Sequence, residues 1–576
     1  MEQPARITNK QIAAIFYDVA DILETEGVKF KPIAYRRAAH VIETLSEDVA
    51  RLSEAGKLEE IPGVGTHIAA KIREILKTGK LAYYDRLKSE IPPGVLELAE
   101  LGGIGPKKAM ILSSTLGITN TESLEEAAKA GKIRGVKGFG EKTEKNILLA
   151  IQAKKGTGKR FLLGEILPVA EAIRKTLAAL PATKQISLAG SIRRRKETIG
   201  DVDILASSSE PEKIMTAFCT LPGVERVLGR GPTKSSVVLK SGVQVDLRVV
   251  GEDQYWTALQ YFTGSKDHNI AMRRRALDRN WRLNEYGLTD LSSWKKFPGE
   301  SEEDLYRMLE LPYIEPELRE NRGEIDAAEN GGLPAIVTYD AVKGDLHVHT
   351  TDSDGKHSVR EMAEAAKALG YEYIAICDHA RNPQLPRGLT EEGIAGQMRE
   401  IERVNREMDG FVVLAGIECN IGADGKLDVA STVLGDLDLV LASVHSGLDS
   451  DESEMTARVL SALHNDQLDI LGHPTGRIIL EREPARMDLA AVFDAAKELH
   501  VSPEINAYPS RLDLSDTNCM MGREHGVRFA IGSDAHARED LRSMELGIAT
   551  ARRGWLEAGD IINTLPLEAL RLVLGS

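Results

Sequence analysis

The run Asp201-Val202-Asp203 constrains this chain more than any other feature, because its two carboxylates act together only if the segment is a strand. Residues two apart on a strand share a face, and Asp246 in Val243-Gln244-Val245-Asp246-Leu247-Arg248 can join them from a neighbouring strand. Three clustered carboxylates need a compensating charge. Oxygen ligands suit magnesium or manganese, and two such ions about 3.5–4 Å apart can hold the attacking and leaving oxygens of an in-line displacement. Gly190-Ser191 precedes the pair and supplies a close backbone and a hydroxyl, while Arg193, Arg194 and Arg195 offer planar donors for phosphate. A lone Asp-x-Asp on a surface carries no such meaning. With these neighbours it predicts phosphoryl transfer.

At 576 residues the chain exceeds one ordinary core, and about 150 residues per domain suggests three or four domains. The net charge of -15 is unevenly spread: 50 Lys and Arg face 48 Asp and Glu up to residue 340, against 23 and 40 after it. Any contact with a polyanion would therefore fall to local basic surfaces in the first part, and an acidic metal-binding domain in the second would explain the asymmetry. Cys219, Cys377, Cys419 and Cys519 are scattered without Cys-x-x-Cys spacing, which suits core residues in a reducing compartment. With no signal peptide and no apolar run near the roughly 20 residues that span a bilayer, the expectation is a cytoplasmic protein without membrane contact.

The first 150 residues read as helices joined by glycine turns. Three such turns recur, Ile61-Pro62-Gly63-Val64-Gly65, Leu101-Gly102-Gly103-Ile104-Gly105 and Val136-Lys137-Gly138-Phe139-Gly140, each before an amphipathic stretch carrying lysine. They resemble helix-hairpin-helix motifs. The pairs Gly63 and Gly65, Gly103 and Gly105, and Gly138 and Gly140 would let the backbone approach phosphate, and free amides at the next helix start favour an anion without reading sequence.

The stretch from Ala189-Gly190-Ser191-Ile192-Arg193-Arg194 to Gly200-Asp201-Val202-Asp203 resembles the nucleotidyltransferase palm of the family X DNA polymerases. The resemblance implies that Asp201, Asp203 and Asp246 are catalytic and hold magnesium, with Ser191, Arg194 and Gly200 near the triphosphate and Asp246 best placed to help deprotonate the primer 3′-hydroxyl. Tyr261-Phe262-Thr263-Gly264-Ser265 resembles the segment under the incoming sugar, which carries Tyr261, Phe262 and Gly264 into the nucleotide site. Asn269 and Arg273 match minor-groove and template-side contacts, and Arg282 to Leu288 with Leu311-Pro312-Tyr313 resemble the thumb. Gly63 to Lys71 is similar to the polymerase beta-like segment whose lysine attacks an abasic sugar; Lys71 falls on that lysine, and Tyr35 and Lys31 match neighbours in the same DNA-binding pocket. His67, Phe30, Glu59 and Glu60 depart from that pattern, which weakens the pocket for a 5′-phosphate.

Beyond the turn-rich residues 325–344, Asp345-Leu346-His347-Val348-His349 puts two imidazoles on one face of a strand. Asp354, His379, Glu418, His445, His473, Asp534 and His536 follow, mostly after short apolar strands, and strands alternate with helical stretches. Polar residues at the ends of alternating strands suggest an α/β barrel with its site at the C-terminal face. Mixed imidazole and carboxylate ligands suit zinc, manganese or iron, and nine ligands could hold up to three ions that supply hydroxide at neutral pH. The pattern resembles the polymerase and histidinol phosphatase (PHP) domain, a metal-dependent phosphoesterase. That resemblance assigns the nine residues His347, His349, Asp354, His379, Glu418, His445, His473, Asp534 and His536 as ligands of manganese or zinc. His357, His464, His500 and His525 stay outside the set, and Arg477 and Arg511 are further phosphate contacts.

Taken together, the chain is expected to be multidomain: a helical helix-hairpin-helix N-terminal part, an α+β palm and thumb, and a C-terminal α/β PHP-type barrel. The divisions read are a lyase-like DNA-binding domain 1–85, a fingers-like domain 86–160, a palm 161–250, a thumb 251–324, a linker 325–344 and a PHP domain 345–576. The resemblance, to a bacterial family X DNA polymerase, implies filling of short gaps in base excision repair with dNTPs on gapped or nicked duplex. It also implies a 3′-to-5′ exonuclease in the PHP domain and a nucleoid-associated monomer. Two other readings stay open, a phosphatase for a small phosphate monoester and a DNA-end binding scaffold.

Overall fold

The computed structural model describes residues 9–574 apart from 26–30, 45–48, 62, 90–94, 96–97, 99–103, 105, 142, 145–146, 149–150, 152–158 and 382–386. Phe30, Gly103 and Gly105 lie outside the described residues. Two compact units separate, Met1–Lys159 with Ile270–Arg274, and Arg160–Asn269 with Arg275–Ser576.

The first unit is helical. Helices Asn9–Thr25, Lys31–Thr44 and Thr66–Thr78 bury Phe16, Ile42 and Ile72 in one core, and Pro106–Leu116 and Thr121–Lys129 bury Leu112 and Leu124 in another. Two of the glycine turns are built alike. Each follows a single 3-10 turn, Leu58–Glu60 or Ile133–Gly135, and closes with a backbone bond, Val64 N–H to Ile61 O at 2.9 Å or Phe139 N–H to Val136 O at 3.0 Å. Gly63 at φ +89° and Gly138 at φ +94° adopt the left-handed conformation that these turns require.

In the second unit, the short strands β1 (Phe161–Leu162) and β3 (Thr198–Ile199) pair with each other. A five-stranded sheet holds β2 (Gln185–Ala189), β4 (Asp201–Ser207), β5 (Val224–Arg230), β6 (Lys234–Leu239) and β7 (Gln244–Val250) in the order β2-β4-β7-β6-β5. Ile204, Ala206, Val245 and Leu247 fill its core against helices Leu163–Ala178 and Pro211–Cys219, whose buried faces include Ile166, Ile214 and Phe218. Helices Tyr255–Thr263, Lys266–Asp278 and Glu302–Met308 follow, with a hairpin of β8 (Trp281–Asn284) and β9 (Gly287–Asp290).

Residues 325–344, which read as turn-rich, begin inside the helix Glu324–Glu329, and Ile336 then bridges Glu557. Seven parallel strands come next in chain order: β10 (Gly344–Val348), β11 (Tyr373–Ile376), β12 (Val412–Asn420), β13 (Leu439–Ser443), β14 (Ile470–Leu471), β15 (Ser502–Asn506) and β16 (Ala530–Gly532). A parallel bridge from Val348 to Ala535 draws the first strand to the last, so the sheet is nearly a closed barrel. Both faces are covered: Leu346, Tyr373, Leu414 and Leu441 pack inside, and helices such as Val359–Ala368 and Leu489–Glu498 pack outside, which is why these strands are apolar runs without alternation. Among the described residues, no helix is long and apolar enough to cross a membrane.

Candidate active sites

Strand β4 carries Asp201 and Asp203 and runs parallel to β7 in a register that sets Asp203 opposite Asp246. Glycine is needed next to them: Gly190 has φ +62°, and a Cβ there would stand 2.4 Å from Asp203 Oδ2. The electrostatics reflect the crowding. Burial, with Asp201 and Asp246 nearby, pushes Asp203 up to about 7, and burial with Asp246 raises Asp201. Burial acts to raise Asp246 too, but hydrogen bonds from Lys234, Gln244 and Ser236 outweigh it and hold that carboxyl low; Lys234 Nζ lies 2.7 Å away. Such a set fits divalent cations, whose charge relieves the repulsion.

A cavity of about 600 Å³ opens beside Asp201, lined by Ser191, Arg194, Lys196 and Gly200. The three expected arginines do not act alike. Arg194 lines this cavity, whereas Arg193 turns to Thr263 and Glu302 and is a structural cation, a correction to the reading of all three as phosphate donors. Arg195 lines the cavity but is paired to Glu545 at 3.0 Å. Tyr261 and Phe262 meet edge to face at 5.2 Å, and Gly264 lies against Arg194, whose Nη1 would be 3.1 Å from a Cβ there. Asn269 is buried, accepting from Gln260 at 2.8 Å and donating to Tyr261 O at 2.7 Å. Arg273 falls in the segment that groups with the first unit.

At the C-terminal ends of the parallel strands the nine expected ligands converge. Eight of them form three groups whose donor atoms lie within 4.8 Å of one another: His349 with Asp354, His379 and His536; His347 with His349 and Asp534; and His379 with Glu418 and His445. The ninth, His473, brings Nε2 to 3.1 Å from Glu418 Oε1. Burial acts to raise Glu418 and Asp534, but the surrounding imidazoles outweigh it and hold both far below the usual carboxylate range. Burial alone would lower His347, yet Glu504, Asp534 and Glu418 raise it well above an ordinary histidine. Buried His349 Nδ1 and His473 Nδ1 have no hydrogen-bond partner among the described residues. A set of nitrogen and oxygen donors with surplus negative charge fits divalent cations.

Sequence reasoning missed Glu504, in the middle of β15, which accepts from His347 Nδ1 at 2.7 Å and from His473 N–H at 2.6 Å. It also missed Asp378, which accepts from Thr350 N–H at 2.8 Å and from Gln397 at 2.6 Å beside His379. The available signal for Glu504 was a carboxylate inside the short run Val501-Ser502-Pro503-Glu504-Ile505. His464 and His525 bond elsewhere, to Leu460 O and Asp494.

Comparison with known proteins bears on both centres. Residues 258–320 match the family model of the DNA polymerase beta thumb, 7–81 a helix-hairpin-helix domain, 95–153 a SAM-like helix-hairpin-helix tandem, and 345–500 the PHP domain. A Bacillus subtilis (strain 168) protein named DNA polymerase/3′-5′ exonuclease PolX is 37% identical over 570 residues, 98% of this chain and 99% of its own length. The chain belongs to the bacterial family X DNA polymerases that carry a PHP domain. Its PHP part is also similar to smaller proteins: a probable phosphatase of Thermoanaerobacter sp. (strain X514), 31% identical over 38% of this chain and 89% of the relative, and one of Aliivibrio fischeri (strain ATCC 700601 / ES114), 31% identical over 40% and 92%.

In this family X chain the PHP domain packs directly on the palm. Arg477 donates to Glu197 of the palm at 2.7 Å and to the carbonyls of Arg511 and Leu512. Arg477 is thus a fastener between domains and not a phosphate contact, a correction to the sequence reading. Arg511, by contrast, lines the PHP cavity of about 540 Å³, with Nε 3.5 Å from Asp534.

In the helix-hairpin-helix unit, Lys71 Nζ lies 4.9 Å from the centre of the Tyr83 ring, and Tyr35 stacks on the same ring at 6.4 Å. Burial and Tyr83 push the Tyr35 hydroxyl up to about 12. Gly65 caps helix Thr66–Thr78 with open space around it, as Gly140 also has, and Lys31 is exposed at the start of helix Lys31–Thr44.

Proposed function

We propose that this chain is a DNA-directed DNA polymerase that fills short gaps during base excision repair and trims 3′ ends with a 3′-to-5′ exonuclease in its PHP domain. It acts on gapped or nicked duplex with dNTPs, as a cytoplasmic, nucleoid-associated monomer. The observation that carries this reading is the register that sets Asp203 opposite Asp246, with Asp201 on the same strand. Magnesium belongs at this set, and up to three manganese or zinc ions at the PHP ligands; bound there, they supply Lewis acidity to phosphate oxygens and acidify hydroxyl groups and water. Asp246, kept ionised by Lys234, receives the proton of the primer 3′-hydroxyl. Ser191, Arg194 and Gly200 hold the triphosphate, Tyr261, Phe262 and Gly264 lie under the sugar, and Asn269 and Arg273 face the base-paired side. The unit up to residue 160 grips the duplex backbone through the turns at Gly63, Gly65, Gly103, Gly105, Gly138 and Gly140, with the lyase-like part ending near residue 85.

The test is incorporation of one dNTP into a one-nucleotide gap with magnesium. Wild type fills the gap, and Asp203→Asn loses about 10³-fold in rate, in line with removal of a metal ligand from a displacement that depends on charge stabilisation. A wild-type chain that fills no gap but hydrolyses p-nitrophenyl phosphate would make the small-molecule phosphatase the better reading.

A second activity is favoured by the packing of Lys71 over Tyr83 beside Tyr35: attack by Lys71 on the open-chain aldehyde at C1′ of an abasic site, with loss of water, gives a Schiff base that allows elimination of the 3′-phosphate. Borohydride trapping on a 5′-incised abasic duplex should yield a covalent adduct in wild type and none in Lys71→Ala. An equal adduct in both would remove Lys71 from that role.

A further inference from the structure

The cavity beside Asp201 is not made by the palm alone. Asp516, Thr550 and Arg553 of the PHP domain form part of its lining. Arg553 ends the helix Met544–Arg553 and is 4% exposed, an arginine buried between two domains. Its Nη1 donates to the carbonyl of Arg194 at 2.6 Å and to Glu320 Oε1 at 3.0 Å, and its Nη2 donates to Asp516 Oδ2 at 2.6 Å. Arg194 donates Nε to the same Glu320 oxygen at 3.1 Å and Nη1 to Thr263 O at 2.5 Å. Arg194 is therefore fixed at its backbone and at two of its three nitrogens, while Nη2 has no hydrogen-bond partner among the described residues.

We propose that Arg553 is a positioning residue of the polymerase site: it holds Arg194 and Glu320 in place for the nucleotide's triphosphate, so the PHP domain builds one wall of the nucleotide pocket. This inference rests on the assignment of Arg194 to the triphosphate made above. A planar guanidinium is suited to the task because it reaches one carbonyl and two carboxylates at fixed angles, which an ammonium cannot do. Other ion pairs, Arg195 with Glu545 and Arg322 with Asp516, already fasten the domains, so docking alone does not require a further bond to the carbonyl of Arg194. Loss of Arg553 would let the Arg194 loop shift, which weakens binding of the triphosphate and of pyrophosphate more than it slows the chemical step.

The experiment measures steady-state filling of a one-nucleotide gap by full-length Arg553→Gln, Arg553→Lys and Glu545→Gln, with pyrophosphate inhibition and 3′ shortening followed on the same preparations. For Arg553→Gln, KM for dNTP should rise about tenfold and the inhibition constant for pyrophosphate in step, with kcat and 3′ shortening within about twofold of wild type. Arg553→Lys should recover part of the loss, and Glu545→Gln, which removes a different fastening between the same domains, should leave KM unchanged. If Arg553→Gln does not fold, Arg553→Lys decides: a KM raised at least about threefold with 3′ shortening intact supports the inference. An unchanged KM, or an equal rise in Glu545→Gln, overturns it. A wild-type chain that incorporates no nucleotide overturns the polymerase reading itself, an outcome distinct from incorporation with unaltered KM.

Discussion

Glu504 accepts a hydrogen bond from His347 Nδ1 across 2.7 Å, and both side chains are buried. A carboxylate on one imidazole nitrogen fixes the tautomer and leaves the other nitrogen for an ion. Glu504→Gln should therefore weaken manganese binding at the PHP site by about tenfold, the lower end of what loss of such a partner costs. Titrating 3′ shortening with manganese checks this: the midpoint moves to higher metal while the rate at saturation largely returns. An unmoved midpoint would make Glu504 a packing residue.

Glu302 is buried between Arg319, 2.7 Å away, and Arg193. Burial acts to raise its pKa, but the two guanidiniums outweigh it and bring it to about 2. A carboxyl depressed in the folded state contributes stability that is present in full above its unfolded value near 4.5 and is lost as pH falls from there to about 2. Glu302→Gln should cost about 3 kcal/mol at pH 7 and little at pH 2. Tryptophan fluorescence during denaturation reads this directly, since Trp256, Trp281 and Trp294 lie in the same region. Equal loss at both pH values would contradict the ion-pair account.

Gly190 leaves room for Asp203, since a methyl group at this position would come within 2.4 Å of the carboxylate oxygen. Gly190→Ala should lower gap filling by about 10²-fold, the cost of displacing a reacting group by about 1 Å, while leaving 3′ shortening unchanged. Gap filling within about twofold of wild type would show that the turn tolerates a methyl.

The legible parts of this molecule were those with a local period. Asp201 and Asp203 share a face because strands repeat every two residues, and the expected PHP ligands stood out because most stand in or just after a short apolar strand. The glycine turns at Gly63 and Gly138 were legible for a similar reason, a fixed spacing before a helix. What could not be read was pairing across long separations. Glu504 lies 157 residues from His347, and Arg553 lies 359 from Arg194; no spacing links either pair. Pro503 also obscured the strand that carries Glu504. Arg193 and Arg477 were misread because a basic residue near a phosphate motif looks the same whether it meets phosphate or a carboxylate of another element.

The central claim is that one chain holds two separate metal-dependent sites. It is tested most directly with a one-nucleotide gapped duplex labelled on the primer, supplied with dNTPs and magnesium or manganese, comparing wild type with Asp203→Ala and His347→Ala. The account predicts that Asp203→Ala loses extension and keeps 3′ shortening, and that His347→Ala does the reverse. Loss of both reactions in either variant, or of neither, would contradict it.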